Sequence, residues 1–194
     1  SKNKWEDKKK ADEILKSVLR AGIATISSIE NKNISEQPPL LFDLTGLQKE
    51  ANKKLGLSAE ETLNIAQGLY EKQFITYPRT GSRYIPEDMW AEIPNLVRAL
   101  ESSASCKDAV SKVIWGRFNK RIVNDLKVTD HHGLLITGKI PSALSAKENA
   151  VYDMIALRLL GAIMQACSKE ITDVTLQASH YDFMVKGCKV LEPG

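Results

Sequence analysis

A tyrosine and an arginine flank a single proline at Tyr77-Pro78-Arg79, at the end of a short β-prone run. In an extended backbone, residues two positions apart point the same way, so the two side chains are predicted to face one site. A phenol is a poor nucleophile while protonated, with an ordinary pKa of about 10. A neighbouring guanidinium favours the phenolate and grips a phosphate through paired donors. The pair suits attack on a phosphodiester, although such a tetrapeptide alone is more often a plain turn.

A second candidate is the histidine pair His131-His132. Taken alone, the pair is more often an exposed loop feature than a site. Adjacent side chains tend to point apart, and no third ligand is spaced to join them, so a shared metal site is not predicted.

Basic residues concentrate between positions 112 and 127, where a single acidic residue, Asp125, accompanies them. This distribution fits a solvated helix face and a phosphate-contacting surface equally well. The basic residues are Lys112, Arg117, Lys120, Arg121 and Lys127.

The elements that position these residues are mostly helices. Three capping-box signatures predict helix starts: Thr45 with Gln48, Ser58 with Glu61, and Ser145 with Glu148. Helices are also predicted over residues 7–21, from Pro86 onward, and over residues 109–114. Residues 127–141 are predicted to form a polar loop. Tyr70 falls on an apolar helix face and is expected in the core, whereas Tyr84 fits a core position and a stacking platform equally well.

The two ends of the chain have β character. Residues 23–29 are rich in Ile, Thr and Ala, and apolar and polar residues alternate over 174–179. A polar stretch over residues 31–39 marks a boundary. These patterns predict an α+β fold in which a mostly helical domain, residues 38–168, is inserted into a β-rich domain made of residues 1–37 and 169–194. Two connecting chains would then form a natural hinge.

Composition sets broad limits. The chain has 194 residues, 43% of them hydrophobic, and a net charge of +3, which alone indicates nothing about nucleic acid. No apolar run approaches the ~18 residues that a membrane span needs. The three cysteines form no CxxC pair, so neither a disulfide framework nor a zinc ribbon is predicted. A cytoplasmic location is expected.

The longer pattern around the tyrosine is more specific. Leu69-Tyr70-Glu71 is followed by Ile75-Thr76-Tyr77 and then by Arg79-Thr80, and this spacing resembles the active-site segment of type IA DNA topoisomerases, in particular the bacterial topoisomerase III group. The likeness continues upstream through residues 38–51 and 55–61 and downstream through residues 130–137. It covers at least residues 38–137.

The resemblance implies a mechanism and a set of partners. Tyr77 would attack single-stranded DNA and keep the 5′ phosphate as phosphotyrosine, with Arg79 and His131 assisting at the phosphate. Mg²⁺ would be bound by a separate Toprim domain, since this chain contains no Asp-x-Asp motif. Residues 38–168 would be the cap and the β segments parts of an arch that acts as hinge, so the chain alone is expected to be inactive. The further DNA contacts expected are Thr80, Ser82, Arg83, His132, Lys112, Arg117, Lys120 and Arg121.

Two positions depart from the family pattern, Gly81 for an acidic or polar residue and Ile136 for a proline. They favour an alternative, in which the scaffold is a non-catalytic module that binds single-stranded DNA. A purely structural helical insertion is a further alternative. A tyrosine recombinase is excluded, because no Arg precedes either histidine at the spacing of its Arg-His-x-x-Arg constellation.

Overall fold

Two units make up the computed structural model of the chain, which describes residues 7–194. One unit takes the chain up to Glu36 together with Ala166–Gly194, and the other takes Gln37–Gln165. The second unit is therefore inserted in sequence between two parts of the first. Helices combined with one three-stranded antiparallel sheet confirm the predicted α+β class.

The first unit begins with helix α1 (Lys8–Ala21). The Asp7 carboxylate caps its start by accepting a hydrogen bond of 2.9 Å from the backbone amide of Lys9. Gly22 ends it in the left-handed region, at φ 67°. The helix predicted over residues 7–21 is confirmed; residues 1–6 of the predicted first domain lie outside the described part of the chain.

Three long strands form the sheet of the first unit: β1 (Thr25–Glu36), β2 (Cys167–Ala178) and β3 (Tyr181–Glu192). The strand order is β1-β2-β3, with both pairings antiparallel. At one end of the β1–β2 ladder, Glu36 lies opposite Cys167. The β-type sequence at the two ends of the chain therefore pairs at long range, as predicted.

Strand β1 is longer than its sequence indicates. A strand was expected only over residues 23–29 and a boundary over 31–39, but the ladder to β2 continues to Glu36. Every residue of β1 is exposed. Its polar second half therefore needs no hydrophobic alternation, because backbone hydrogen bonds to β2 hold it in the sheet.

The second unit is helical. Its helices are α2 (Leu44–Leu55), α3 (Ala59–Glu71), α4 (Ile93–Ala99), α5 (Lys107–Val110) and α6 (Ala146–Ile163), with 3-10 turns at Glu87–Glu92, Leu100–Ser102, Arg117–Ile122 and Asp125–Lys127. Helix α3 packs against both α2 and α6. Fully buried Leu47, Leu69 and Ile155, one from each of these helices, belong to one continuous core.

Side-chain caps start the helices. Ser58 and Ser145 cap α3 and α6 as predicted. The prediction for α2 is wrong, because its cap is Asp43 rather than Thr45. The Asp43 carboxylate accepts a 2.6 Å hydrogen bond from the amide of Gly46, and its own backbone has the extended conformation that a cap requires.

Two further helix predictions need correction. Pro86 precedes a 3-10 turn, Glu87–Glu92, instead of being the first residue of an α-helix. Helix α5 covers only Lys107–Val110, so the helix expected over residues 109–114 is wrong beyond Val110. The short run of apolar residues there packs against the core without enough length to sustain a helix.

Candidate functional site

The end of helix α3 directs the chain toward Tyr77. The amide of Gln73 donates to the carbonyl of Tyr70 at 2.8 Å, and the amide of Phe74 donates to the carbonyl of Leu69 at 2.9 Å. This pair of bonds is a Schellman motif, which needs the left-handed conformation that Gln73 adopts at φ 65°. The motif turns the chain from the helix into an extended segment.

A backbone bridge then fixes the extended segment. Ile75 pairs with Ile136 in an isolated antiparallel bridge, and the amide of Thr76 donates to the carbonyl of Leu135 at 2.9 Å. The Thr76 hydroxyl accepts from the Leu135 amide at 3.0 Å. Leu135 and Ile136 are fully buried, so the expectation of a polar loop over residues 127–141 is wrong at its centre. The bridge places this histidine-bearing segment beside the tyrosine segment.

Tyr77 lies against two rings. Its ring centroid is 4.6 Å from that of His131, at an interplanar angle of 52°, and 5.4 Å from that of Tyr70 in an edge-to-face arrangement. Tyr70 is 39% exposed, so its expected place in the core is wrong. The neighbouring Leu69 takes the buried position instead. Two residues 54 positions apart, 131 − 77, thus meet at one site.

Arg79 follows Tyr77 through a turn. The amide of Thr80 donates to the carbonyl of Pro78 at 2.9 Å, which closes a three-residue turn around Arg79. The chain also bends at Pro78, so the continuous extended geometry predicted for this pair is wrong. Arg79 is exposed, and its guanidinium forms no hydrogen bond or ion pair with another residue of the described range 7–194. It is free to bind an anion.

The hydroxyls of Thr80 and Ser82 form a cluster of hydrogen bonds with backbone groups. The Thr80 hydroxyl donates to the carbonyl of His131 at 3.1 Å and accepts from the amide of Ser82 at 3.1 Å. The Ser82 hydroxyl donates to the carbonyl of Lys127 at 2.8 Å and accepts from the amide of Tyr84 at 3.1 Å. Thr80 and Ser82 are both buried. Their hydrogen bonds join the loop after Tyr77, residues 78–84 (the tyrosine loop), to the loop that carries His131, residues 127–135 (the histidine loop).

Gly133 allows the histidine loop to approach closely. A Cβ atom at this position would lie 3.0 Å from the Cβ of Leu41 and 3.1 Å from the backbone carbon of Arg83. The amide of Gly133 donates to the carbonyl of Tyr84 at 2.7 Å. His132 lies beside it, with Nδ1 2.7 Å from the Gly133 carbonyl. A side chain at position 133 would therefore force its neighbours to shift by a few tenths of an ångström.

Three arginines gather around the segment that precedes α2. Arg83 Nε donates to the carbonyl of Leu41 at 3.2 Å, and Arg121 donates to the carbonyl of Pro39 at 3.1 Å. Arg158 packs over the Phe42 ring, 4.0 Å from its centroid. Burial lowers the pKa of the Arg121 and Arg158 guanidinium groups from their ordinary value. Arg121 therefore anchors this segment instead of extending into solvent.

Sequence reasoning missed Arg158. This arginine lies on α6 among buried apolar residues and forms an ion pair with Glu50 of α2. A charge on an otherwise apolar helix face is the signal that pointed to a buried partner. Arg158 thus holds α6 to α2 and to Phe42, in the segment that precedes α2.

The other predicted basic residues lie on a different part of the second unit. Lys112 follows α5 and Arg117 begins a 3-10 turn, both exposed, so these cations do not share one helix face. Lys120 pairs with Glu87 and lies 5.8 Å from the centroid of the Trp90 ring. Tyr77 and His131 are in contact, whereas no contact among the described residues joins either of them to these three cations.

Within residues 7–194, no three His, Cys, Asp or Glu side chains are grouped as a metal site would require. None of the described helices is both long and apolar enough to cross a membrane.

Known proteins match the chain along its length. The DNA topoisomerase family matches residues 1–194. DNA topoisomerase 3 of Bacillus cereus (strain ATCC 10987) is 37% identical over 194 residues, which is 97% of this chain and 26% of that protein. DNA topoisomerase 3 of Bacillus subtilis (strain 168) is 33% identical, over 98% of this chain and 28% of that protein. The chain therefore spans about a quarter of these relatives' length.

A solved structure shares the fold. Full-length topoisomerase I from Thermotoga maritima superposes with a TM-score of 0.67 at 23% sequence identity. The match covers 97% of this chain and 31% of that one.

Proposed function

This chain belongs to the type IA DNA topoisomerase family, and we propose that it supplies the nucleophile of an enzyme that cuts and rejoins one DNA strand. The contact between the Tyr77 and His131 rings, with centroids 4.6 Å apart, carries the proposal. The Tyr77 phenol lies beside the His131 imidazole, two residues before the exposed Arg79.

In the proposed cleavage, the Tyr77 hydroxyl oxygen attacks the phosphorus of a phosphodiester in single-stranded DNA. The new bond joins this oxygen to phosphorus, and the bond from phosphorus to the 3′ oxygen breaks. The phenol gives up its proton, and the leaving 3′ oxygen takes one. Rejoining is the reverse attack, and no ATP is needed because the phosphotyrosine ester conserves the energy of the broken bond.

Arg79 and His131 assist this step in the proposal. Arg79 is exposed and unpaired among the described residues, so its guanidinium can hold the non-bridging oxygens and stabilise the charge that develops on them. His131 lies against the Tyr77 ring, in place to form a hydrogen bond near the phosphate. The backbone of His131 is held by the Thr80 hydroxyl.

The remaining predicted DNA contacts divide into two kinds. Thr80 and Ser82 have their hydroxyls engaged by backbone groups, so we propose that they position the loop and that their direct contact with DNA is secondary. Arg83 and Arg121 hold the segment before α2 through hydrogen bonds to its carbonyls. We propose contact with a DNA phosphate as their second role. His132 and the exposed Lys112, Arg117 and Lys120 are proposed as outer contacts to the strand.

Mg²⁺ would be held elsewhere in the longer polypeptide. The residues described here do not fit a metal site, since no cluster of three suitable side chains occurs among them. We propose that a Toprim domain of the same polypeptide supplies the carboxylates, which suit Mg²⁺. The helical unit would be the cap and the sheet part of the arch, in a protein that acts on cytoplasmic DNA. The 194-residue chain alone is expected not to relax supercoiled DNA.

The test uses the full-length protein with a single-stranded oligonucleotide labelled at its 3′ end. After a quench with detergent, label is expected to migrate with wild-type protein on a denaturing gel and not with Tyr77→Phe. Tyr181→Phe in strand β3 is the matched control and should retain the adduct. If the wild-type protein binds the oligonucleotide but forms no adduct, the non-catalytic binding module replaces this proposal.

A further inference from the structure

A shallow depression of about 560 Å³ lies beside Tyr77. Apart from Tyr77 itself, no residue that lines it takes part in the proposed cleavage step. Its lining includes Tyr70, Gln73, Ile75, Tyr77, Thr137 and Lys139.

One wall of the depression is an aromatic ring that the fold leaves uncovered. Tyr70 is 39% exposed although it adjoins the buried Leu69 at the end of α3. The Schellman motif at Gln73 fixes this helix end, and the Tyr77 ring lies edge-to-face with that of Tyr70. The Tyr70 ring is thus held in place without being buried. A fixed and exposed ring is a surface on which a nucleobase stacks.

The rim of the depression carries a positioned cation. Lys139 Nζ donates to the backbone carbonyl of Lys72 at 2.9 Å and lies 5.1 Å from the centroid of the Phe74 ring. The Thr137 hydroxyl donates to the carbonyl of Gln73 at 2.7 Å, which ties the segment carrying Lys139 to the end of α3. The ammonium keeps donors free for a phosphate.

The lining also includes the Gln73 side chain. It is exposed, and its amide forms no hydrogen bond with another residue of the described part of the chain. An amide offers one acceptor and two donor hydrogens, which match the edge of an unpaired base. Ring, amide and cation therefore surround one depression next to the nucleophile.

We propose that this depression binds one unpaired nucleobase of the strand that Tyr77 cleaves. The base stacks on Tyr70, its polar edge meets Gln73, and Lys139 contacts the adjoining phosphate. The inference rests on the proposed function, because the depression is a subsite only if DNA reaches Tyr77. A base in a duplex is stacked on both faces, so this subsite selects single-stranded DNA.

Binding measurements in the full-length protein test the subsite without cleavage. Tyr77→Phe provides the background, and fluorescence anisotropy gives the Kd of oligonucleotides in which one abasic site moves stepwise past the cleavage position. One abasic position is expected to weaken binding roughly tenfold, the order that loss of one base–aromatic stack produces. Adding Tyr70→Leu should weaken binding of the intact oligonucleotide by the same factor and abolish the penalty of that abasic position. Tyr70→Trp should preserve the penalty.

Lys139→Gln gives an independent measurement. Loss of one phosphate contact is expected to reduce the slope of log Kd against log salt by about 0.7. The inference is overturned if no abasic position weakens binding, or if the penalty persists unchanged in Tyr70→Leu. Should Tyr70→Leu fail to fold, a penalty that Gln73→Ala leaves unchanged overturns it equally. If the wild type forms an adduct but the abasic penalty does not depend on Tyr70, only the subsite is refuted. If the penalty depends on Tyr70 but no adduct forms, the proposed cleavage is refuted.

Discussion

Thr80→Val removes one hydroxyl and keeps the shape of the side chain. That hydroxyl is bonded to two backbone groups, the carbonyl of His131 and the amide of Ser82, each at 3.1 Å. Ser82 is only 7% exposed, so no water replaces the lost partner of its amide. His131 is exposed, and water can bond its carbonyl. The change therefore leaves one buried amide unpaired.

An unpaired buried donor lowers the free energy of unfolding by about 1–3 kcal/mol. We expect Thr80→Val to lower it by about 2 kcal/mol for the helical unit. Thr80→Ser keeps both hydrogen bonds and loses one methyl group, so its expected loss is about 0.8 kcal/mol. Thr80→Val therefore reports the loss of the hydrogen bonds at constant side-chain volume, and Thr80→Ser reports the loss of packing with the hydrogen bonds kept.

Urea unfolding of the 194-residue chain measures both variants. Amide hydrogen exchange of peptides from residues 80–84 and 127–135 shows whether the loss begins in the two loops. Thr45→Val, at an exposed position of α2, is the control and should stay within about 0.5 kcal/mol of wild type. If Thr80→Val is as stable as Thr80→Ser, the two hydrogen bonds do not hold the loops. In the full-length protein, Thr80→Val is also expected to slow adduct formation, since His131 is then held less firmly against Tyr77.

The remaining predictions concern single positions of the helical unit. Gly133→Ala forces a methyl group to within about 3.0 Å of neighbouring atoms and is expected to lower the free energy of unfolding by about 1–3 kcal/mol, measured in urea. Gln73→Gly relieves the strain of a side chain in the left-handed conformation, which glycine adopts freely, and is expected to raise the free energy of unfolding by about 0.5–1 kcal/mol. The hydrogen bond from Lys72, followed by those from Ser145, lowers the pKa of Glu148 from 4.5 to about 2. The folded chain therefore binds this proton less readily than the unfolded chain, and the resulting stability is present above pH 4.5 and lost as the pH falls toward 2. Glu148→Gln should flatten the loss of stability in that interval, measured by thermal unfolding at a series of pH values.

Matched variants check these expectations. Gly138→Ala meets no atom within 4 Å and should leave stability unchanged, so an equal effect at both glycines contradicts the crowding at Gly133. Gln73→Val should destabilise, since a branched side chain is strained at positive φ. If Gln73→Val and Gln73→Gly change the free energy of unfolding equally, backbone strain at this position does not affect stability. Glu60→Gln, at another exposed position of the unit, should keep the wild-type pH dependence.

Local rules predicted the parts of the fold that local chemistry decides. The caps at Ser58 and Ser145 follow from side chains that pair with nearby amides. Asp43 and Thr45 are both good capping residues, so only the backbone conformation distinguished them. The polar half of β1 depends on a ladder to a strand more than a hundred residues away, which no local pattern indicates.

The candidate site was predictable only through its resemblance to a family. Residue spacing alone paired Tyr77 with Arg79, through an extended geometry that the turn at Pro78 interrupts. His131 comes into contact with Tyr77 through the Ile75–Ile136 bridge, which depends on tertiary packing. Tyr70 was misplaced because helical periodicity does not hold at a helix end, where the chain turns away from the core.

The pairing of Glu36 with Cys167 has a consequence for how such a protein can be rebuilt. Paired residues of antiparallel strands have Cα atoms about 4.5–5.5 Å apart. The chain thus leaves the sheet for Gln37–Gln165 and returns to it at neighbouring points. A tight turn between the same two residues would close the sheet without any other change of register. The helical unit is consequently an exchangeable module, which can be deleted, or replaced by a homologous or engineered one, through two adjacent splice points.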